Sequence, residues 1–243
     1  PRKGNVMLTA LAGVAVARRR LVLVLTVVAF AAAGIARTPP FPASIVSWRL
    51  SKGLYAISLL FLSGDILFMN GVGPAAVAFG AAFVGLSFGC LMWSYAVSDF
   101  SVANVVQNSH SLKPMLYKLT GTWGNHEGSM VLWILILGLC SAAVAWFGTN
   151  LPATLRARVL GVLGLISVGF LLFTILTSNP FERIWPIPDD GTDLNPLLQD
   201  PGLAFHPPFL YLGYVGFSIA FSFAMAALIE GRVDAAWARW VRP

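Results

Sequence analysis

The sequence predicts an all-α protein, a polytopic transmembrane helical bundle of about six helices with external loops. Three observations carry that prediction. Hydrophobic residues make up 57% of the 243 residues and charged residues only 11%, where an ordinary soluble domain has about 25% charged residues. Several apolar runs are long enough to cross a ~30 Å hydrocarbon layer, which takes roughly 20 residues of helix. The runs are continuous rather than alternating, which indicates helices and not a barrel.

The elements follow in chain order. Residues 6–17 are apolar but too short to span. Residues 21–36, after Arg18, Arg19 and Arg20, form a short span, and residues 54–69, with Asp65 near the end, form another. The clearest spans are 72–97, 130–147, 159–177 and 209–229. No acidic or basic residue falls inside them, which argues against a transporter. No internal repeat and no low-complexity linker is present.

Arginines set the expected orientation. Arg156 and Arg158 lie between two clear spans, and Arg232, Arg239 and Arg242 follow the last one. The positive-inside rule puts them in the cytoplasm. Alternation then places residues 98–129 and 178–206 outside, with Lys113, Lys118 and Arg183 the basic residues of those loops. Arg37, Arg49 and Lys52 run against the scheme. The formal charge of +6 reads as a topology signal rather than a nucleic-acid surface. All 3 histidines, His110, His126 and His206, fall on the external side, so chemistry is expected there. Cys90 and Cys140 sit inside apolar runs without a CxxC pattern and read as buried small hydrophobes.

His206 is the first candidate, in "LQDPGLAFHPPFLYLGYVGF". Pro207 disfavours helical geometry at the residue before it, which suits a helix cap. Pro207 and Pro208 then fit the first helical turn, where missing N–H groups cost little. An imidazole there meets the positive end of the helix dipole, which disfavours imidazolium and leaves a lone pair for a metal. Two roles stay open, a metal ligand or a cap. The preceding loop, with Pro180, Pro186, Pro188, Pro196 and Pro201, is too apolar for disorder. It reads as a rigid lid or as a loop packed on the bundle.

The second candidate is "TGTWGNHEGSMVLW", residues 120–133. His126 and Glu127 begin like a zinc HExxH motif, but Met130 stands where the second histidine belongs, so the protease reading fails. Trp123, His126 and Glu127 remain near a helix mouth, as interface residues or as a site. His110 reads as a solvated loop histidine, and Ser98 and Asp99 as caps of a short helix through Val102, Val105 and Val106 on the membrane surface. In the last span, Gly213, Gly216 and Ser218 lie among Tyr211, Tyr214, Phe217 and Phe221. That pattern permits close helix packing or a flat apolar ligand. No phosphate loop, Ser/His/Asp arrangement or CxxCH is present.

Several stretches together resemble one family. They are "SDFSVANVVQNSHS", "WGNHEGS", "NPFERIWPIP", "DGTDLNPLLQDPGLAFHPPFLYLGYVGFS" and "AFSFAMAALIEGR". In order and spacing they are similar to the amino-terminal part of the cytochrome c maturation haem lyases of the CcmF and NrfE type. The resemblance covers residues 54–243 and is dense from about Ser94 onward. Residues 1–53 show none and form an unmatched segment with a possible transmembrane helix.

The resemblance implies haem as cofactor and attachment of haem to the CxxCH cysteines of apocytochrome c outside the bacterial inner membrane. It implies as partners the haem chaperone CcmE, apocytochrome c, other cytochrome c maturation subunits and membrane lipid, and no nucleic acid. His206 matches an external histidine that ligates haem iron; Tyr211, Tyr214 and Trp185 are further candidates for the haem site. The family's tryptophan-rich signature, its second external histidine and its resident-haem histidines would lie beyond Pro243. The chain is therefore expected to be a fragment, inactive alone as a lyase. The rival expectation is a non-catalytic assembly subunit that docks the haem chaperone or the apocytochrome.

Overall fold

The computed structural model describes residues 74–231, 233 and 235–241, all within the unit Ser51–Pro243. Segment 1–53 and the spans 21–36 and 54–69 lie outside the described residues. The helices are α1 (Pro74–Ala96), α2 (Ala103–Asn108), α3 (Met115–Gly121), α4 (His126–Phe147), α5 (Ala153–Thr177), α6 (Pro201–Glu230) and α7 (Ala235–Val241). Short 3-10 turns occupy Gly148–Asn150 and Pro196–Gln199. The described residues contain no strand, and Val102 and Arg183 form an isolated antiparallel bridge. Four helices, α1, α4, α5 and α6, are long and apolar enough to cross a membrane. The protein is a polytopic helical bundle, as the sequence predicts.

Helices α4, α5 and α6 start earlier than their apolar runs, and side-chain caps set two of those starts. Helix α4 starts at His126 because the Asn125 side chain accepts the Gly128 N–H at 2.7 Å. Helix α6 starts at Pro201 because Asp200 accepts the Leu203 N–H at 3.2 Å and proline is pre-set for the first helical position. Hydropathy marks where lipid can begin; the cap marks where the helix begins.

Helix α4 is the centre of the bundle and packs on α1, α5 and α6, while α5 packs on α6. Lipid tails are as apolar as leucine, so close van der Waals fit rather than hydrophobicity holds such helices together. Gly138 shows the fit: a Cβ there would lie 3.4 Å from the Cα of Ala81 on α1. Val131, Leu137, Val159, Leu163 and Ala226 fill the shared interior. Trp133 on α4 meets Phe170 of α5 and Tyr211 of α6, with centroids 5.4 and 5.6 Å away.

The two ends of the bundle differ. At one end α5 and α6 are tied by Glu230, which forms an ion pair with Arg158 at 3.1 Å and accepts from Thr154 at 3.0 Å. Gly231 closes α6 in the left-handed conformation, φ 70°. The other end carries the long loops, and these are stitched together. Ala103 donates to Glu182 at 2.8 Å, Ile184 to Ser101 at 3.2 Å, Thr192 to Val106 at 2.7 Å and Asp193 to Ser109 at 3.1 Å. Arg183 pairs with Asp99 at 3.2 Å.

This stitching bears on α2. The helix forms where the sequence suggests, Val102, Val105 and Val106 are buried, and Ala103 and Val106 hydrogen-bond Glu182 and Thr192 of the proline-rich loop. Its start differs from the expected one. Val102 occupies the cap position without a side-chain bond. Asp99 instead accepts from Ser101 and Arg183, and the ion pair across the loops outcompetes local capping. The proline-rich loop is ordered and bonded to the segment around α2. Cys90 and Cys140 are free and half-buried rather than fully buried.

Candidate functional site

The candidate residues collect at the loop-bearing end, at the mouths of α4 and α6. A buried polar knot holds this end together. Tyr95 Oη donates to Asn104 Oδ1 at 2.6 Å, and Asn104 Nδ2 donates to Asn125 Oδ1 at 2.8 Å and to Glu127 Oε2 at 3.2 Å. Asn125 Nδ2 returns to Tyr95 Oη at 3.0 Å and to the Gly121 carbonyl at 2.7 Å. Tyr95 and Asn104 are buried, so every partner left unmade would carry a desolvation penalty. Within "WGNHEGS", Asn125 and Glu127 thus serve this knot. Gly128 leaves room for it, because a Cβ there would overlap the Thr122 carbonyl.

His126 opens α4. Its Nε2 lies 2.9 Å from Ser178 Oγ and its ring meets Phe173 edge-on at 6.1 Å, so it ties α4 to the end of α5. His110 is not merely solvated. Its Nδ1 accepts the Leu112 N–H at 3.1 Å, and its Nε2 lies 3.6 Å from Asp190 Oδ2. Ser111 also donates through its backbone and hydroxyl to Asp190, whose carboxyl is held down to about 2 chiefly by that hydroxyl.

His206 stands apart from these. It is exposed on α6, and no described residue hydrogen-bonds either ring nitrogen. The expected cap geometry is not observed: Asp200 caps α6, and His206, Pro207 and Pro208 lie inside the helix. The dipole argument goes with it, because that field fades beyond the first turn. The Asp200-Pro201 pair is itself a start signal, and it places the helix start several residues before the histidine.

An interior proline removes a helical hydrogen bond. Pro208 leaves the Ala204 carbonyl without its usual donor, and Ala204 is buried. Trp123 supplies the missing donor, with Nε1 at 2.7 Å from that oxygen. Trp123 also stacks on Phe88 of α1, with centroids 6.4 Å apart and planes 20° apart. Sequence reasoning singled out Trp123 and Ala204's neighbour His206 separately; nothing in their spacing announces the bond between them.

Among the described residues, the helix around His206 is open. Gly213 lies about two turns further along the same face, and no described atom comes within 4 Å of a Cβ placed there. Gly216 is equally open, so these glycines do not mediate close helix packing among the described residues. Phe209 and Phe217 are 74% and 72% exposed beside this strip. Tyr214 is exposed, whereas Tyr211 turns inward to Trp133. Trp185 is exposed in the proline-rich loop. An unengaged imidazole above an open apolar strip fits a planar iron macrocycle: nitrogen for the metal, aromatic and glycine surface for the ring. Among the described residues, no cluster of three or more His, Cys, Asp or Glu is placed to hold a bare metal ion.

These features define a helical integral-membrane protein whose histidine-bearing cap lies at one end. Residues 123–242 match the family model described as cytochrome C assembly protein. The cytochrome c-type biogenesis protein CycK of Rhizobium meliloti (strain 1021) is 67% identical over 160 residues, which cover 66% of this chain and 24% of that protein. The cytochrome c-type biogenesis protein CcmF of Escherichia coli (strain K12) is 52% identical over 200 residues, covering 81% of this chain and 29% of that protein. A solved structure named cytochrome c heme lyase CcmF superposes with a TM-score of 0.62 at 27% identity, covering 85% of this chain and 34% of that one. The chain belongs to the CcmF family of cytochrome c assembly proteins. It spans about a quarter of the length of the curated relatives it matches.

Proposed function

We propose that this chain is the His206-bearing part of a haem lyase that acts in bacterial cytochrome c maturation. In this reading the loop-bearing end faces outward from the inner membrane. His206 ligates the iron of incoming haem there. The observation that supports it is the exposed, unengaged imidazole on α6 above the open strip at Gly213.

Haem supplies the vinyl groups, across which cysteine S–H bonds of a CxxCH segment add to give thioethers without net oxidation. The chain's own contribution is positioning, and holding reactants in register is a large part of such catalysis. His206 fixes the iron. Phe209, Phe217 and Tyr214 offer apolar surface to the ring, while Tyr211 stays with Trp133 and supports the helix from within. Trp185 stands on the loop cap, where the haem chaperone CcmE and apocytochrome c would approach, alongside other cytochrome c maturation subunits.

The test is His206→Ala in the protein completed to the length of its relatives, with maturation of a CxxCH reporter measured per inserted molecule. Loss of maturation, restored by added imidazole, is the expected result. Free imidazole can replace an axial ligand but not a structural side chain. Normal maturation per molecule would overturn the ligand assignment. It would favour the reading of a docking subunit that does not touch iron.

A further inference from the structure

We propose that Trp123 is a positioning residue for His206 and acts through the carbonyl that Pro208 leaves free. The proposal rests on the reading of His206 as an iron ligand and adds the device that holds it in place.

The turn that carries His206 is weakened by its own sequence. Pro207 and Pro208 withdraw consecutive N–H donors from the helix. The Ala204 carbonyl is buried, 4% exposed at the residue level, so bulk water is a poor substitute and an unmade bond would be costly. The Trp123 indole fills this vacancy from outside the helix, at 2.7 Å.

Trp123 is itself fixed. Its backbone N–H bonds the Thr120 carbonyl at 3.2 Å, and its ring stacks on Phe88. Next to it, a Cβ on Gly124 would lie 3.2 Å from Leu194 of the proline-rich loop, so the segment is closely covered. The indole therefore links α1 and the loop cap to one turn of α6. His206 lies in that turn, two positions after Ala204. Its imidazole has no hydrogen bond of its own among the described residues, so the backbone beneath it sets its position.

A packing role and a latch role make different predictions. Packing needs the ring of Trp123. The latch needs its N–H, and only while residue 208 lacks one. Haemin is titrated into the purified, completed protein in detergent, and binding is followed by Soret absorbance. The variants are H206A, W123F, P208A and W123F/P208A. H206A should abolish the spectral change that added haemin produces in the wild type, read as a difference against the untitrated protein. W123F should weaken haemin binding about two- to tenfold, the range for one lost hydrogen bond, and shift the Soret band. With the backbone N–H restored by P208A, adding W123F should change affinity by less than about twofold.

Equal effects of W123F in both backgrounds would overturn the latch, as would an unchanged W123F protein while H206A abolishes binding. If H206A itself leaves haemin binding unchanged, the ligand reading fails and this proposal with it. If W123F does not accumulate in membranes, recovery of accumulation and haemin binding in W123F/P208A supports the latch. Failure of both proteins to accumulate overturns it.

Discussion

Lys113 Nζ lies 2.5 Å from Asp193 Oδ1, and the two side chains are 1% and 46% exposed. The pair joins the loop after α2 to the proline-rich loop. Lys113 also donates to the Asn108 carbonyl at 3.3 Å. Burial pushes the Lys113 ammonium below its usual range, and Asp193 partly restores it. Burial alone would raise the Asp193 carboxyl, but hydrogen bonds led by Lys113 hold it below the ordinary value.

Asp193→Asn should therefore lower stability by about 1–2 kcal/mol, less than for a fully buried pair because Asp193 is half exposed. Asparagine tolerates the left-handed backbone that Asp193 adopts, φ 75°, so lost charge rather than strain is what the variant reports. A melting curve in detergent checks it; an unchanged midpoint would show that the pair contributes nothing.

Acid should loosen the loop cap at low pH and not near neutrality. The carboxyls of Asp190 and Asp193 are both depressed. A depressed carboxyl adds stability above its unfolded value of ~3.9 and loses it as pH falls through the folded one. Melting temperature should be flat from about pH 7 to 5 with respect to these groups and fall below about 4. Lys113 works in the opposite range: its depressed ammonium should make stability rise as pH climbs toward ~10.4. A melting midpoint in the Asp193→Asn, Asp190→Asn double variant that falls as steeply below pH 4 as in the parent would refute the assignment.

Gly128→Ala should be severely destabilising, by several kcal/mol. The added methyl would overlap the Thr122 carbonyl, which is backbone and cannot step aside as a side chain would. Gly161→Ala offers the control, because no described atom lies within 4 Å of its Cβ position. Membrane accumulation of the two variants should differ clearly, and similar accumulation would contradict the close approach.

Asn125→Ala removes the cap of α4 and the hub of the knot with Tyr95 and Asn104. The cap alone is worth about 0.5–2 kcal/mol, and the orphaned partners add about 1–3 kcal/mol. The detergent melting midpoint should fall by more than for Asn195→Ala, which removes a cap from a short, exposed 3-10 turn. Equal shifts would mean that the knot adds nothing beyond capping.

Sidedness follows from the proposed orientation. With Cys90 and Cys140 replaced by alanine, single cysteines at Leu112 and Leu197 should react with an impermeant thiol reagent added outside, and one at Val233 should not. All three positions are well exposed, at 87%, 72% and 66%. External labelling at Val233 would reverse the assignment.

Some of this protein was decided by the sequence alone. Long apolar runs with few charges admit helices across a membrane and little else, because no other backbone satisfies its own polar groups in lipid. The runs thus located α1, α4, α5 and α6, and put His110, His126 and His206 at one end. What they could not locate was the helix start. Lipid solubility and capping are separate properties, and because Asp200 holds the first turn, His206 lies in the helix interior and not at its cap. Partners far apart in the chain were invisible for a related reason. A hydrogen bond from Trp123 to Ala204, or an ion pair from Lys113 to Asp193, depends on how four helices bring distant loops together. No periodicity records that. Only the packed bundle decides which carbonyl a proline leaves empty and which indole reaches it.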